Sequence, residues 1–287
     1  AGFVWRAGGL VVTAAHVIAA GGEIRVRTAD GREVAARPVG VDEVSDVALL
    51  RIDADPPPAI QAPADAAGRG DPVAAIGDPL GFSATLTVGH VSDPARRFGD
   101  TSPYDLLQHD AALNPGSSGG PLVDRAGRVL AMNLAIADGG RRHIGIGFAL
   151  PIAVVDRIAA RLLAEGEIAR PHLGLRLREA TSLRAAIPRL ADGLVVEAVE
   201  PGSAAAAAGV APGAEILAAD GVRLRDPVDL ARRLETKRPG DTLRLGLTDG
   251  DRDLVLGRRP PPERPRSRTR GVAAFTPGFA LDSDRKS

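Results

Sequence analysis

Short apolar runs, broken every few residues by glycine, proline or aspartate, fill the first 150 positions of the chain. Val11-Val12-Thr13-Ala14-Ala15 is a β-branched run that predicts a strand ending at His16, and Val47-Ala48-Leu49-Leu50 predicts another that begins after Asp46. Between them, Glu23-Ile24-Arg25-Val26-Arg27 alternates polar and apolar residues, the two-residue period of a half-buried strand. Asp30-Gly31 predicts a hairpin turn before Glu33-Val34-Ala35. Pro56-Pro57-Pro58 and the Ala, Asp and Gly residues up to Gly70 predict a crossing to a second strand set: Pro72–Ile76, Ser83–Val91, Gly119–Val123, Val129–Ile136 and Ile144–Ala149. Many short strands punctuated by Gly and Pro favour a barrel or sandwich over alternating strand–helix units. After Pro151 the period changes to that of a helix, through Ile152, Val155, Ile158, Ala159 and Leu162, with the proline tolerated at its first turn.

A second unit follows Gly166. Pro171-His172-Leu173-Gly174-Leu175 and Gly193–Val199 predict strands, and Ser203 ahead of five alanines and Gly209 predicts a short helix with its cap and its stop. A further helix starts at Asp226 and runs to Leu234, and Thr242–Leu247 and Asp253–Leu256 are expected to be closing strands. From Pro260 onward Pro, Arg, Ser and Thr dominate, too few apolar residues to fold, so 260–287 is expected to be a disordered tail. Its alternating arginines, Arg264 to Arg270, offer a lesser alternative, binding to an acidic partner.

With 287 residues the chain has room for about two domains, and at 44% apolar but only 3% aromatic residues their cores must be built from Val, Leu, Ile and Ala. Thirty-six basic and 36 acidic residues cancel, so no global field draws the chain to nucleic acid or to anionic membranes. Cysteine is absent, which excludes disulfides, a thiolate nucleophile and thiolate metal sites. His90, His109 and His143 have no carboxylate or thiol constellation around them, so no metal is expected, and no cofactor. No apolar run reaches the length of a membrane span.

The chemistry is concentrated in Asn114-Pro115-Gly116-Ser117-Ser118-Gly119-Gly120-Pro121-Leu122. Glycines on both sides let the main chain turn the Gly116 and Ser118 N–H groups into one space beside the Ser118 hydroxyl, with Ser117 N–H as a possible third donor. That is an oxyanion hole beside a nucleophile. Serine is a poor nucleophile until a base takes its proton, and His16 is a base suited to neutral pH. Asp46, at the mouth of its strand, is the carboxylate that would hold the imidazole in one tautomer.

Thr13-Ala14-Ala15-His16, Ser45-Asp46-Val47-Ala48-Leu49-Leu50 and the Asn114–Leu122 stretch resemble the triad segments of the HtrA/Deg serine proteases, the chymotrypsin-like branch that carries PDZ domains. Ala75-Ile76-Gly77-Asp78-Pro79-Leu80-Gly81 and Ile144–Pro151 add to the likeness, which runs from Gly2 to about Arg259. The resemblance implies a mainly β chain: a chymotrypsin-like double β-barrel over 1–165, then a single PDZ domain over 166–259. It implies an ATP-independent serine endopeptidase acting on unfolded or misassembled proteins in a bacterial envelope, the absence of a phosphate-binding Gly-x-x-x-x-Gly-Lys loop agreeing with ATP independence; the alternatives are a dedicated regulatory protease with one partner and a non-catalytic PDZ-bearing binding or chaperone protein. It also places Ala112, six residues before Ser118, at the base of the pocket for the residue preceding the cut, with walls from Leu134, Ala135, Ile136, Gly147 and Phe148. A pocket without charge favours Val, Ala, Leu or Ile over Arg or Lys, which would be buried unpaired. A PDZ-like unit takes a peptide C-terminus as an added strand, here through His172, Leu173, Gly174 and Leu175, with Leu230 and Leu234 on the opposite wall. Two features depart from the family: Ser117 stands where Asn is usual, and the family's preceding strand and trimer contacts lie before Gly2. A start at Ala1 without methionine reads as a fragment, with a homotrimer expected where the preceding segment is present.

Overall fold

The computed structural model describes residues 1–79, 84–97, 103–136, 144–179, 193–258 and 279–280. Two units separate, one from 1–98, 104–168 and 265–287, the other from 99–103 and 169–264.

The first unit contains two strand systems. β1 (Gly2–Arg6), β2 (Leu10–Ala14), β3 (Ile24–Thr28), β4 (Glu33–Asp42) and β5 (Val47–Ile52) form a sheet in the order β1-β2-β5-β4-β3. β6 (Pro72–Gly77), β7 (Thr85–Arg96), β8 (Leu106–His109), β9 (Pro121–Val123), β10 (Val129–Ile136) and β11 (Gly147–Pro151) close into a barrel, β10-β11-β8-β7-β6-β9. β7 runs on past the expected Val91 to Arg96, and β9 starts at Pro121, because Gly119 and Gly120 belong to the serine loop.

Three cores explain why β2, β5 and β11 are apolar on consecutive residues rather than alternating. Val11 and Leu50 fill the interior of the first sheet, together with Val4, Val26 and Ile52. Their neighbours Val12 and Leu49 point the other way, into a core shared by both strand systems and the helix Ile152–Glu165. Ala149 faces the interior of the closed barrel with Val73, Val91 and Leu122, while the next residue, Leu150, joins the shared core. A strand buried on both faces cannot alternate. The helix contributes Ile152, Val155, Ile158, Ala159 and Leu162, with Pro151 as its N-cap residue and Gly166 closing it through an N–H bond to the Leu162 carbonyl of 2.9 Å. Trp5 is buried beside it and donates from Nε1 to Asp156 at 2.9 Å.

The second unit is a sheet of β13 (Leu175–Glu179), β14 (Leu194–Val199), β15 (Glu215–Ala219), β17 (Thr242–Leu247) and β18 (Gly250–Val255) in that order, with β16 (Val222–Arg223) beside β15. β12 (Pro171–His172) pairs with β19 (Gly257–Arg258). Two helices complete it, Ala204–Ala207 and Pro227–Glu235. The first is capped by Ser203, whose hydroxyl accepts from Ala206 N–H, and the second by Asp226, whose carboxylate accepts from Asp229 N–H. The short helix ends at Ala207, ahead of Gly209, which adopts φ 73°. Leu194, Val196, Ile216, Leu230, Leu243, Leu245 and Leu254 make its core. Of the tail, only Phe279–Ala280 is described, paired with β3 at Thr28 and Arg27; its other residues and His143 lie outside the described residues.

Candidate active site

β2 and β5 are antiparallel neighbours with Ala14 opposite Val47, so the residues just past one strand and just before the other must meet. His16 lies in the single 3₁₀ turn Ala15–Ile18 after β2, and Asp46 is the residue that enters β5. His16 Nδ1 and Asp46 Oδ2 are 2.7 Å apart, His16 N–H donates to Asp46 Oδ1 at 2.9 Å, and Ala15 N–H donates to the Asp46 carbonyl at 3.0 Å. A carboxylate only accepts, so Nδ1 carries the ring proton and Nε2 is left as the basic nitrogen. Asp46 achieves this with φ 56°, a left-handed backbone uncommon for a residue other than glycine.

Ser118 sits between β8 and β9, in a loop stitched to β10. Gly119 N–H donates to the Asn133 carbonyl at 2.7 Å, and Asn133 N–H returns a bond to Gly120 at 2.9 Å. The Ala1 nitrogen donates to the Ser118 carbonyl at 2.8 Å. The glycines are there as much for space as for dihedral freedom. A Cβ on Gly116 (φ 105°) would stand 2.1 Å from the Asp78 carbonyl oxygen, and one on Gly120 would stand 2.1 Å from that of Ile76. On Gly119 (φ 81°) it would meet Thr13 Oγ1 at 2.4 Å and Ala14 N at 2.7 Å. That last approach brings the serine loop against the end of β2, two residues before His16.

The Gly116 and Ser118 N–H groups donate to no protein acceptor among the described residues, whereas Ser117 N–H, the third donor considered, is spent on the Asn114 carbonyl at 2.9 Å. The Ser118 hydroxyl donates to the Leu134 carbonyl at 3.0 Å, and among the described residues no hydrogen bond joins it to His16 Nε2. The hydroxyl has one proton, so attack requires it to leave the Leu134 carbonyl and be given to the imidazole.

The pocket residues are less uniform. Ala112 is half-buried, and its carbonyl accepts from Thr87 Oγ1 at 2.8 Å. Leu134 is half-buried on the edge of the shared core. Ala135 and Ile136 are placed by strand pairing opposite Phe148 and Gly147, their side chains being outside the described residues. Phe148 is buried, in one core cluster with Leu150 and Met132. The space a Cβ would take on Gly147 is bordered by His109 Cε1 at 2.9 Å and Leu113 Cδ1 at 3.0 Å. Asn133, a polar residue that interrupts the apolar β10, escaped the motif reading although that interruption was its signal.

In the second unit, Leu173 and Gly174 lie between β12 and β13. Their carbonyls accept from Ala205 N–H at 3.0 Å and Glu200 N–H at 2.9 Å, and their own N–H groups donate to no backbone acceptor among the described residues. Gly174 has φ 74°, and a Cβ there would meet Ser203 Cβ at 2.1 Å. His172 Nε2 is 2.7 Å from Glu200 Oε2. β13 is an edge strand, paired only with β14 among the described residues, and the helix Pro227–Glu235 packs against it. Leu173 and Leu230 are buried in the unit's core, while Leu175 and Leu234 are half-buried against it. Among the described residues no group of three metal-ligating side chains occurs.

Comparison with known proteins gives this geometry its context. The chain matches the trypsin-like peptidase domain over residues 1–132 and the PDZ domain over 195–251. It is 33% identical over 277 residues to the protein named serine protease HhoB of Synechocystis sp., covering 91% of this chain and 66% of that one. It is 36% identical over 250 residues to a DegP-like periplasmic serine endoprotease of Chlamydia trachomatis, covering 86% of this chain and 50% of the relative. The chain thus spans about half to two thirds of the length of these relatives. Among solved structures, the HtrA-type protease AlgW with a decapeptide superposes at a TM-score of 0.81, with 33% identity over 91% of this chain and 83% of that one. A chymotrypsin-like protease domain followed by a PDZ domain, at this level of identity over nearly the whole chain, places the protein in the HtrA family of serine proteases.

Proposed function

We propose that this chain is an ATP-independent serine endopeptidase that cuts unfolded or misassembled proteins. The observation that carries the reading is the bond network around Asp46: its two carboxylate oxygens take the His16 N–H and Nδ1 together, leaving Nε2 as the base for Ser118. His16 removes the Ser118 proton as the hydroxyl attacks the scissile carbonyl, and later returns it to the leaving amine. The two unclaimed N–H groups of Gly116 and Ser118 receive the oxyanion. With Ala112 at the pocket base, cleavage follows Val, Ala, Leu or Ile.

The unclaimed N–H groups of Leu173 and Gly174, set beside the open edge of β13, support capture of a peptide C-terminus in the PDZ unit. The relatives' names support a periplasmic setting, and no described helix is long and apolar enough to cross a membrane. A homotrimer, where the segment that precedes Gly2 in the family is present, is part of the proposal and is carried by the family resemblance. Labelling with a fluorophosphonate probe, together with hydrolysis of fluorescent unfolded casein, tests the reading. Wild type is expected to label and to cut; Ser118→Ala is expected to do neither, with turnover lower by on the order of 10⁴-fold or more. Equal hydrolysis by both would dispose of the triad.

A further inference from the structure

We infer that Asp42, with Ser45, is a positioning residue for the catalytic carboxylate. The inference rests on the triad reading, and it concerns a different question: why Asp46 holds its unusual backbone.

Asp42 is the last residue of β4 and pairs with Val47, the first residue of β5, so the two strands are closed by a loop of four residues, Glu43 to Asp46. Four-residue hairpin loops are commonly built around a type I turn and need one residue in a special conformation to rejoin the sheet. Asp46 supplies it, at φ 56°. Aspartate tolerates the left-handed region better than most residues, yet the conformation still costs about 1 kcal/mol and persists only where the surroundings over-determine it.

Asp42 supplies that constraint from within the loop. Its Oδ2 accepts the Ser45 hydroxyl at 2.6 Å and the Ser45 N–H at 3.2 Å. Both residues are buried, at 4% and 3% exposure, so water does not compete for these bonds. They fix the residue immediately before Asp46 and hence the peptide plane on its N-terminal side. From the other side, β5 pairing fixes Val47 opposite both Ala14 and Asp42. Held at both ends, Asp46 has one way to point its carboxylate, and that way meets His16 N–H and Nδ1 together. Without the Asp42 acceptor, the Ser45–Asp46 peptide is free to relax toward an ordinary dihedral. Oδ1 and Oδ2 could then no longer both reach His16. Asp42 acts through Asp46.

The test compares Asp42→Leu, which keeps the branched side-chain skeleton but is larger and has no acceptor, with Asp42→Asn, whose Oδ1 can still accept both Ser45 bonds. Folding is checked by circular dichroism, kcat and KM by casein hydrolysis, and the His16 Nδ1 proton by its downfield resonance in ¹H NMR. For Asp42→Leu the expected result is a fall in kcat of about 10²-fold with KM little changed, and loss of the downfield signal. Asp42→Asn is expected to keep the signal and most of kcat. A folded Asp42→Leu with wild-type kcat and signal would overturn the inference, and so would equal loss in the two variants. If Asp42→Leu does not fold, Ser45→Ala decides. Losing one buried bond to a carboxylate, it is expected to lower kcat about tenfold, and wild-type kcat there rejects the proposal. Ser118→Ala run alongside separates the failures: activity surviving in it refutes the triad itself, whereas an inactive Ser118→Ala beside an unaffected Asp42→Leu refutes only the role of Asp42.

Discussion

At the scale of single residues, the glycines of the serine loop are constrained by neighbours as well as by dihedrals. Gly119 combines φ 81° with a Cβ position 2.4 Å from Thr13 Oγ1 and 2.4 Å from the Ala1 carbonyl, which are themselves hydrogen-bonded at 2.7 Å. Gly119→Ala therefore meets strain and overlap together. It is expected to cost more than about 3 kcal/mol and to abolish labelling of Ser118, because the loop cannot retreat from β2 without losing its bonds to Asn133. Urea unfolding and probe labelling of the same sample check both halves of this expectation. Asp46→Asn is the contrasting case, one in which geometry survives but chemistry does not. Asparagine would offer its NH₂ or its carbonyl to Nδ1 and no longer specify the tautomer. Turnover is expected to fall by about 10⁴-fold with little change in unfolding midpoint.

At the scale of elements, much of the site was legible because the motif residues carry the chemistry in their types. Histidine after a β-branched run, aspartate before an apolar run and serine between glycines each mark a strand end, and the β2–β5 pairing brings the first two together. What was not legible depended on how strands pack and how loops fold back on themselves. The burial of Phe148 is one such case: the alternation along β11 sends Ala149 into the barrel and Phe148 into the shared core. The Ser117 N–H looked available, but the loop folds it back on Asn114. Asp42 was invisible as a functional residue because its partner is three positions away and its effect is on a fourth. The helix Pro227–Glu235, by contrast, was readable from its cap. Asp226 Oδ1 accepts from Asp229 N–H, and Asp229 Oδ2 accepts in turn from Arg225 N–H, both at 3.0 Å. Asp226→Ala is expected to cost about 1 kcal/mol, read as a lowered urea midpoint of the second unit. Affinity for a C-terminal peptide should weaken too, since this helix is the wall facing β13 in the proposed groove.

At the scale of the whole molecule, zero net charge hides a directional dependence on pH. Three carboxylates in the first unit and one in the second are held below their ordinary range. Asp30 is lowered chiefly by the Thr28 hydroxyl and then by Arg32, and Asp93 by the Ala95 N–H and by Arg96 and Arg69, partly offset by burial. For Asp124, burial opposes ionisation, but bonds from the Arg128 N–H and guanidinium and the Ala126 N–H outweigh it. Asp220 in the second unit is likewise opposed by burial and lowered on balance by Lys237 and the Arg244 N–H. A carboxylate whose folded pKa lies below its unfolded one binds fewer protons in the folded state. Its stabilisation is complete above the unfolded value of about 4 and disappears as pH falls through the folded one. These carboxylates should therefore cost the chain stability between about pH 5 and 2, read as a falling urea midpoint over that range. Because the groups are spread over both units, circular dichroism should report the loss across the fold rather than in one part of it. Asp220→Asn removes the titration and leaves one oxygen, which can keep the bond from Arg244 N–H at Oδ1 or the Lys237 contact at Oδ2, but not both. Its midpoint should start lower than wild type at pH 7 and fall less on acidification. If wild type and variant lost the same amount between pH 5 and 3, Asp220 would contribute nothing to the acid limb, and the network around Lys237 would be a surface arrangement of no consequence for folding.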